Sequence, residues 1–173
     1  YVYPLPNYVA SFLYLFTNSF IDSFKLGQIL ATFVGAVFSY LWIKQYFGKV
    51  GALVSSAFYT WAPYHILDVY VRGSVGEVLA LLWIPFILWS IERRSIFFSS
   101  TGIALLILSH NTLALLFLPL ILFYMIIKII QTKEKKNQFY RYVGILMASF
   151  GMSAFFILPA IFELGFTQFL NTK

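Results

Sequence analysis

Cysteine is absent from this chain, and it has only two histidines and six acidic residues in 173. Without cysteine there is no disulfide framework and no thiolate metal site, and either redox compartment fits. Two histidines without a spaced carboxylate partner make no metal-site motif. No P-loop, GxSxG, HExxH or dinucleotide fingerprint occurs, so neither metal nor cofactor is expected. Internal repeats, heptads and low-complexity linkers are missing too. Charge itself is scarce. Lys, Arg, Asp and Glu make up 10% of the chain, against roughly 25% in a soluble domain.

What is present is apolar. Hydrophobic residues account for 61% of the chain, and mean hydropathy is +0.83. An ordinary soluble domain is excluded, and membrane lipid is the implied partner. The net charge of +6 forms no exposed basic surface, so nucleic acid is a poor partner. The basic residues sit instead in three breaks between apolar runs: 44–49, 93–94 and 128–141. By the positive-inside rule these loops are cytoplasmic. Lys25, Arg72 and Lys173 fall on the other side. Thr132–Gln138 reads as a plain connector. The chain begins at Tyr1 and reads as a fragment of a longer polytopic protein, and an upstream targeting segment is not excluded.

The fold class expected is an all-α polytopic transmembrane bundle. A spanning helix needs about 20 apolar residues. Six segments meet or approach that length: 26–47, 50–68, 75–92, 95–110, 112–131 and 140–163. An earlier segment, 7–21, is too short to span untilted. It is expected as an outer juxtamembrane helix followed by a turn at Asp22–Lys25. Pro85 and Pro119 fall inside spans, where kinks are tolerated.

The polar residues of the alternate breaks form the candidate site. PYHILDVYVRGSVGE places His65, Asp68, Arg72 and Glu77 within thirteen residues. Charges near a bilayer are costly and are usually paired or functional. Asp68 and Arg72 are four apart and pair if the helix persists. Glu77 has two readings: a site carboxylate, or the N3 member of a capping box with Ser74. Arg72 either holds a phosphate or carboxylate or snorkels to the headgroups. Ser109-His110-Asn111 interrupts an apolar hairpin. His110 is either a proton-transfer or substrate-binding group or a satisfied core residue. Asn111 either lines the site or caps the next helix. Glu163 is read as a helix-end charge and Asp22 as a turn residue.

Two stretches carry a family resemblance. YPLPNYVASFLYLF, followed by a span ending in WIKQYFGKVGALVSSAFYTWAP, resembles the GT-C class of membrane glycosyltransferases. DVYVRGSVGEVLALLWIPFILW and LSHNTLALLFLPLILFY look more closely like a group of prokaryotic polytopic proteins. That group is labelled as related to 6-pyruvoyl-tetrahydropterin synthase. The label does not carry the activity, because the pterin synthase is a soluble enzyme with a histidine-bound zinc.

The GT-C resemblance implies a polyprenyl-phosphate sugar donor and transfer at the outer face of a prokaryotic plasma membrane. It makes Arg72 the candidate for the lipid phosphate, with His65 and Asn111 as further substrate contacts. His110, Glu77 and Asp68 are the candidate catalytic groups. The acidic base of that class lies ahead of the YPLP segment, so the fragment would not be a complete enzyme. A transporter or lipid flippase and a noncatalytic membrane scaffold are the competing readings.

Overall fold

The computed structural model describes residues 3–162. They are all helical, with no strand among the described residues. The order is α1 (Pro4–Thr17), α2 (Phe20–Thr60), α3 (Pro63–Leu67), α4 (Val75–Glu92), α5 (Ile96–Ser109), α6 (Asn111–Gln131) and α7 (Lys135–Phe162). After α3 the chain continues as a π-helical turn over Asp68–Arg72.

Four helices are long and apolar enough to cross a membrane: α2, α4, α6 and α7. The count of six is not reached by that measure. α5 has only 14 residues, about 21 Å at 1.5 Å per residue. The expected span 50–68 is also not one helix. α2 stops at Thr60, and Pro63 begins a separate short helix after Trp61 and Ala62.

α2 is folded on itself. Gly48 has φ 68° and ψ −170°, a left-handed conformation that glycine adopts without a Cβ penalty. In a straight helix Thr32 and Thr60 would be about 42 Å apart. Instead Thr32 Oγ1 lies 3.1 Å from His65 Nε2. A Cβ built on Gly35 would lie 3.7 Å from the Tyr59 ring. The arms 20–47 and 49–60 therefore run back alongside each other.

The first helix differs from expectation at its end. α1 closes at Thr17 with Asn18 in the left-handed conformation, φ 52°, a position Asn fills better than most residues. The turn is Asn18–Ser19, not Asp22–Lys25. Asp22 lies in the first turn of α2, and its N–H reaches the Ser19 Oγ cap at 3.4 Å. A carboxylate there suits the helix dipole.

α4 is the centre of the bundle. It is apolar on every face, as a helix surrounded by others must be, and Val78, Ala80 and Ile87 are fully buried. α2 and α5 flank it. Along α2 the small residues Gly27, Ala31, Gly35 and Ser39 are buried at four-residue spacing, which lets neighbouring helices approach closely. At Gly102 of α5 a Cβ would come within 2.8 Å of Ile87 and Phe86. Ser90 and Ser99 share a buried hydrogen bond of 2.9 Å across the α4–α5 hairpin. Outward faces carry large exposed apolar groups, including Phe33, Leu115, Phe123 and Met147. That is the surface of a chain solvated by lipid or by further protein.

Candidate functional site

The antiparallel order of α4 to α7 gathers polar residues at two ends. One end holds Asp68, Arg72, Glu77 and His110, and is called the carboxylate end below. The other, the basic end, holds Glu92, Lys128 and the basic turns.

At the carboxylate end Arg72 is the hub. Its Nη1 donates to Asp68 Oδ1 at 2.9 Å and to Glu77 Oε2 at 2.7 Å. Its Nη2 donates to Glu77 Oε1 at 2.6 Å. The guanidinium thus grips Glu77 with two parallel bonds, the strongest geometry available to Arg. The Tyr64 hydroxyl donates to Glu77 Oε2 at 2.5 Å. The Asp68 side chain is fully buried and that of Glu77 nearly so, whereas the Arg72 side chain is 45% exposed. Asp68 Oδ2 is buried without a hydrogen-bond partner.

Local structure explains the convergence. The π turn keeps Asp68 and Arg72 on one face. Gly73 then takes φ 60° and turns the chain into α4. Two residues after its start comes Glu77, pointing back at Arg72. Single π turns of this kind recur where a side chain must be aimed. The Ser74 side chain makes no cap bond, so the capping-box reading fails: Glu77 is engaged by Arg72 instead.

His110 joins from the α5–α6 corner. Its Nε2 lies 3.7 Å from Glu77 Oε1, and Tyr3 covers its ring at a centroid distance of 4.5 Å. The approach depends on Gly76, where a Cβ would meet the Ser109 carbonyl oxygen at 2.9 Å and the His110 ring at 3.5 Å. His110 also caps α6, because the Leu113 N–H donates to its Nδ1 at 3.3 Å. Nδ1 is therefore an acceptor, and the neutral ring carries its proton on Nε2, toward Glu77.

Asp68 and His110 lie outside the four long helices, and both have shifted acidities. Burial, and next the charge of Glu77, pushes the Asp68 carboxyl above the usual carboxylate range. Burial holds the His110 imidazole below its ordinary value. Both shifts favour the neutral form.

Two candidates lie elsewhere. His65 turns away from Arg72, bonds Thr32 and lines a cavity of about 520 Å³ with Gln28, Thr60 and Trp61. Asn111 is not the cap of α6, a role His110 takes. It lines a small apolar cavity against α7. Glu163 lies outside the described residues. Tyr64, Tyr3 and Thr32 were not singled out from the sequence. With 12 tyrosines in the chain, no pattern marks these two.

At the basic end, Lys128 Nζ lies 2.7 Å from Glu92 Oε1 and donates to the Tyr46 hydroxyl at 2.8 Å. The Tyr124 hydroxyl donates to Glu92, and Trp42 Nε1 donates to Tyr124 at 3.3 Å. This cluster joins α2, α4 and α6.

Over residues 1–173 the chain matches the model of a family described as a 6-pyruvoyl-tetrahydropterin synthase related domain, a membrane protein. The chain belongs to that family. A relative described as an uncharacterized protein, from Lactococcus lactis subsp. cremoris (strain MG1363), is 25% identical over 174 residues. The match covers 91% of this chain and 28% of the relative, so the chain spans well under half of that protein's length. No solved structure matches. Within this family member, no group of three His, Cys, Asp or Glu residues could hold a metal ion among the described residues. Its two histidines face Thr32 and Glu77 respectively, so the donor set does not fit the histidine-bound zinc of a pterin synthase.

Proposed function

We propose that this chain supplies the substrate-facing end of a GT-C-like membrane transferase that takes a sugar from a polyprenyl phosphate. The observation that carries the reading is Arg72. Its exposed guanidinium spends three N–H bonds on two buried carboxylates. It is thereby held still while its remaining N–H groups are left for a phosphate oxygen. A donor fixed in advance stabilises developing charge without reorganising.

Two carboxylates against one guanidinium leave a surplus negative charge, which repels phosphate. A proton on Asp68 removes it, and Oδ2 is the oxygen without a partner. The phosphate-binding form is therefore the one with Asp68 protonated. Glu77 orients Arg72, and His110 stands beside Glu77 with Nε2 3.7 Å from the carboxylate, outside hydrogen-bond range. The basic turns are assigned to the cytoplasm of a prokaryote by the positive-inside rule, which puts Arg72 at the outer face. The GT-C resemblance puts the acidic base ahead of Tyr1 in the longer protein.

A noncatalytic role is the second reading. It is favoured by the same bidentate bond, since Glu77 alone satisfies the fork of Arg72. Arg72→Ala in the full-length protein separates the two. Transfer of labelled sugar from a polyprenyl phosphate falls about 100-fold or more, while membrane insertion and protease resistance persist. Arg72→Lys recovers little, because Lys cannot present the fork. Unchanged transfer in Arg72→Ala overturns the phosphate role. Substrate uptake into proteoliposomes without product formation would point to a transporter instead.

A further inference from the structure

The basic end contains a cavity of about 400 Å³ between the α4–α5 turn and the α6–α7 turn. Arg94, Lys128, Lys133 and Arg141 line it, with Gln131 and Gln138. The two carboxylates on its wall do not balance them. Glu92 is engaged by Lys128 and Tyr124. Glu134 accepts from Asn137 at 3.4 Å and pairs with no cation among the described residues. Arg94, Lys133 and Arg141 form no ion pair among the described residues either. Three cations thus line one small cavity against a single unpaired carboxylate, Glu134, which leaves a surplus of positive charge there.

Two details make this more than a loop that happens to be basic. The Arg141 Nε is buried with no hydrogen-bond partner, a costly state for a charged donor. Arg94 has φ 55° at the position after the α4 C-cap, Arg93, where glycine is favoured. A strained backbone here presents a guanidinium to the cavity. The same turn of α7 exposes Phe139 and Tyr140 between Gln138 and Arg141, aromatic residues of the kind that sit at headgroup level.

We propose that this cavity binds an anionic phosphate group, with Arg94, Lys133 and Arg141 as its ligands and Lys128 as a floor already neutralised by Glu92. Arg forks and a lysine suit phosphate oxygens. The phosphate belongs either to an acidic phospholipid headgroup or to a soluble phosphate. The cavity is at the opposite end from Arg72, so its occupancy is independent of the transferase reading.

The test uses the full-length protein in a neutral detergent. Thermal stabilisation and native mass spectrometry are read with phosphatidylglycerol, with zwitterionic phosphatidylcholine and with inorganic phosphate. Phosphatidylglycerol is expected to bind and raise the Tm where phosphatidylcholine does not, with the effect shrinking as salt rises. A matching rise with inorganic phosphate assigns the site to soluble phosphate; no rise assigns it to the lipid. The triple variant Arg94→Gln, Lys133→Gln, Arg141→Gln loses at least about tenfold in affinity. Arg93→Gln, whose guanidinium stacks on Trp89 outside the cavity, keeps it. Should the triple variant fail to fold, Lys133→Gln and Arg141→Gln singly each weaken binding several-fold. Equal binding of both lipids with none of inorganic phosphate, or full binding by the cavity variants, overturns the proposal.

Discussion

The two ends of the bundle use the same residue types in opposite proportion. At the carboxylate end two acids share one guanidinium. At the basic end one acid serves a lysine while three further cations face a single carboxylate, Glu134, that forms no ion pair among the described residues. Exposure differs as well. The cation of the first cluster is 45% exposed and its acids are buried, whereas Lys128 and Glu92 are 20% and 15% exposed. The lesson is that an ion pair in such a chain is informative through what it leaves over. A surplus of charge, and which partner touches solvent, distinguishes a site from a clamp.

The largest effect expected is a steric one that dismantles only the carboxylate end. Gly76→Val drives two methyl groups toward the Ser109 carbonyl, which stands 2.9 Å from where even a Cβ would lie. A loss of about 3 kcal/mol is expected, with a smaller loss for Gly76→Ala. Thermal unfolding of the full-length protein measures both. Wild-type stability in Gly76→Val would mean that the α4 contact with the α5–α6 corner is not close.

Charge removal then compares the ends directly. Glu92→Gln leaves the mostly buried Lys128 without its acid and costs about 2 kcal/mol. Glu77→Gln costs less, about 1 kcal/mol, because Arg72 retains Asp68 and reaches water. The reverse order, read from denaturant unfolding, would break the argument from exposure.

Arg94→Gly acts in the other direction. It relieves a left-handed side-chain conformation and is expected to stabilise by about 1 kcal/mol. The same change removes a cation from the basic cavity, so phosphate affinity falls as Tm rises. Stability and binding moving together would remove the reason for placing Arg at that position.

The smallest effect is one of pH. The folded state disfavours protonated His110, so on acidification the unfolded chain takes up that proton first. Stability from the neutral imidazole is present above about pH 6.5 and is lost as pH falls through and below that value. Comparing Tm at pH 7.5 and 5.5, His110→Gln should lose less than wild type. An equal loss in both would show that other groups, such as the buried His65, carry the dependence.

Much of this was legible in the order of residues. The scarcity and placement of charge disclosed a membrane chain with two unlike ends. The four-residue spacing of Asp68 and Arg72 anticipated their bond. What stayed hidden depends on three-dimensional packing. Glu92 and Lys128 are on different helices, and only the antiparallel return of α6 brings them together. The π turn and the break before Pro63 send His65 toward Thr32 rather than Arg72. Ser74 and Glu77 satisfy a capping pattern, yet a guanidinium five residues earlier competes for the carboxylate and wins. His110 and Asn111 are adjacent, and the helix start falls one residue earlier than Asn111 would place it. The doubled-back α2 contains one expected span, 26–47, and only the first eleven residues of the next, 50–68, because it stops at Thr60.

The elbow at Gly48 makes α2 a pair of tongs with its jaw at the far end. Its short limb, 49–60, is about 18 Å long. Opening the joint by about 5° would therefore carry Thr60, and α3 behind it, by about 1.6 Å. That is enough to lengthen the Thr32–His65 bond of 3.1 Å beyond contact. Arg72 hangs from this limb while Glu77 is rooted in the central helix. The grip between them is thus set by leverage from a pivot at the opposite end of the bundle.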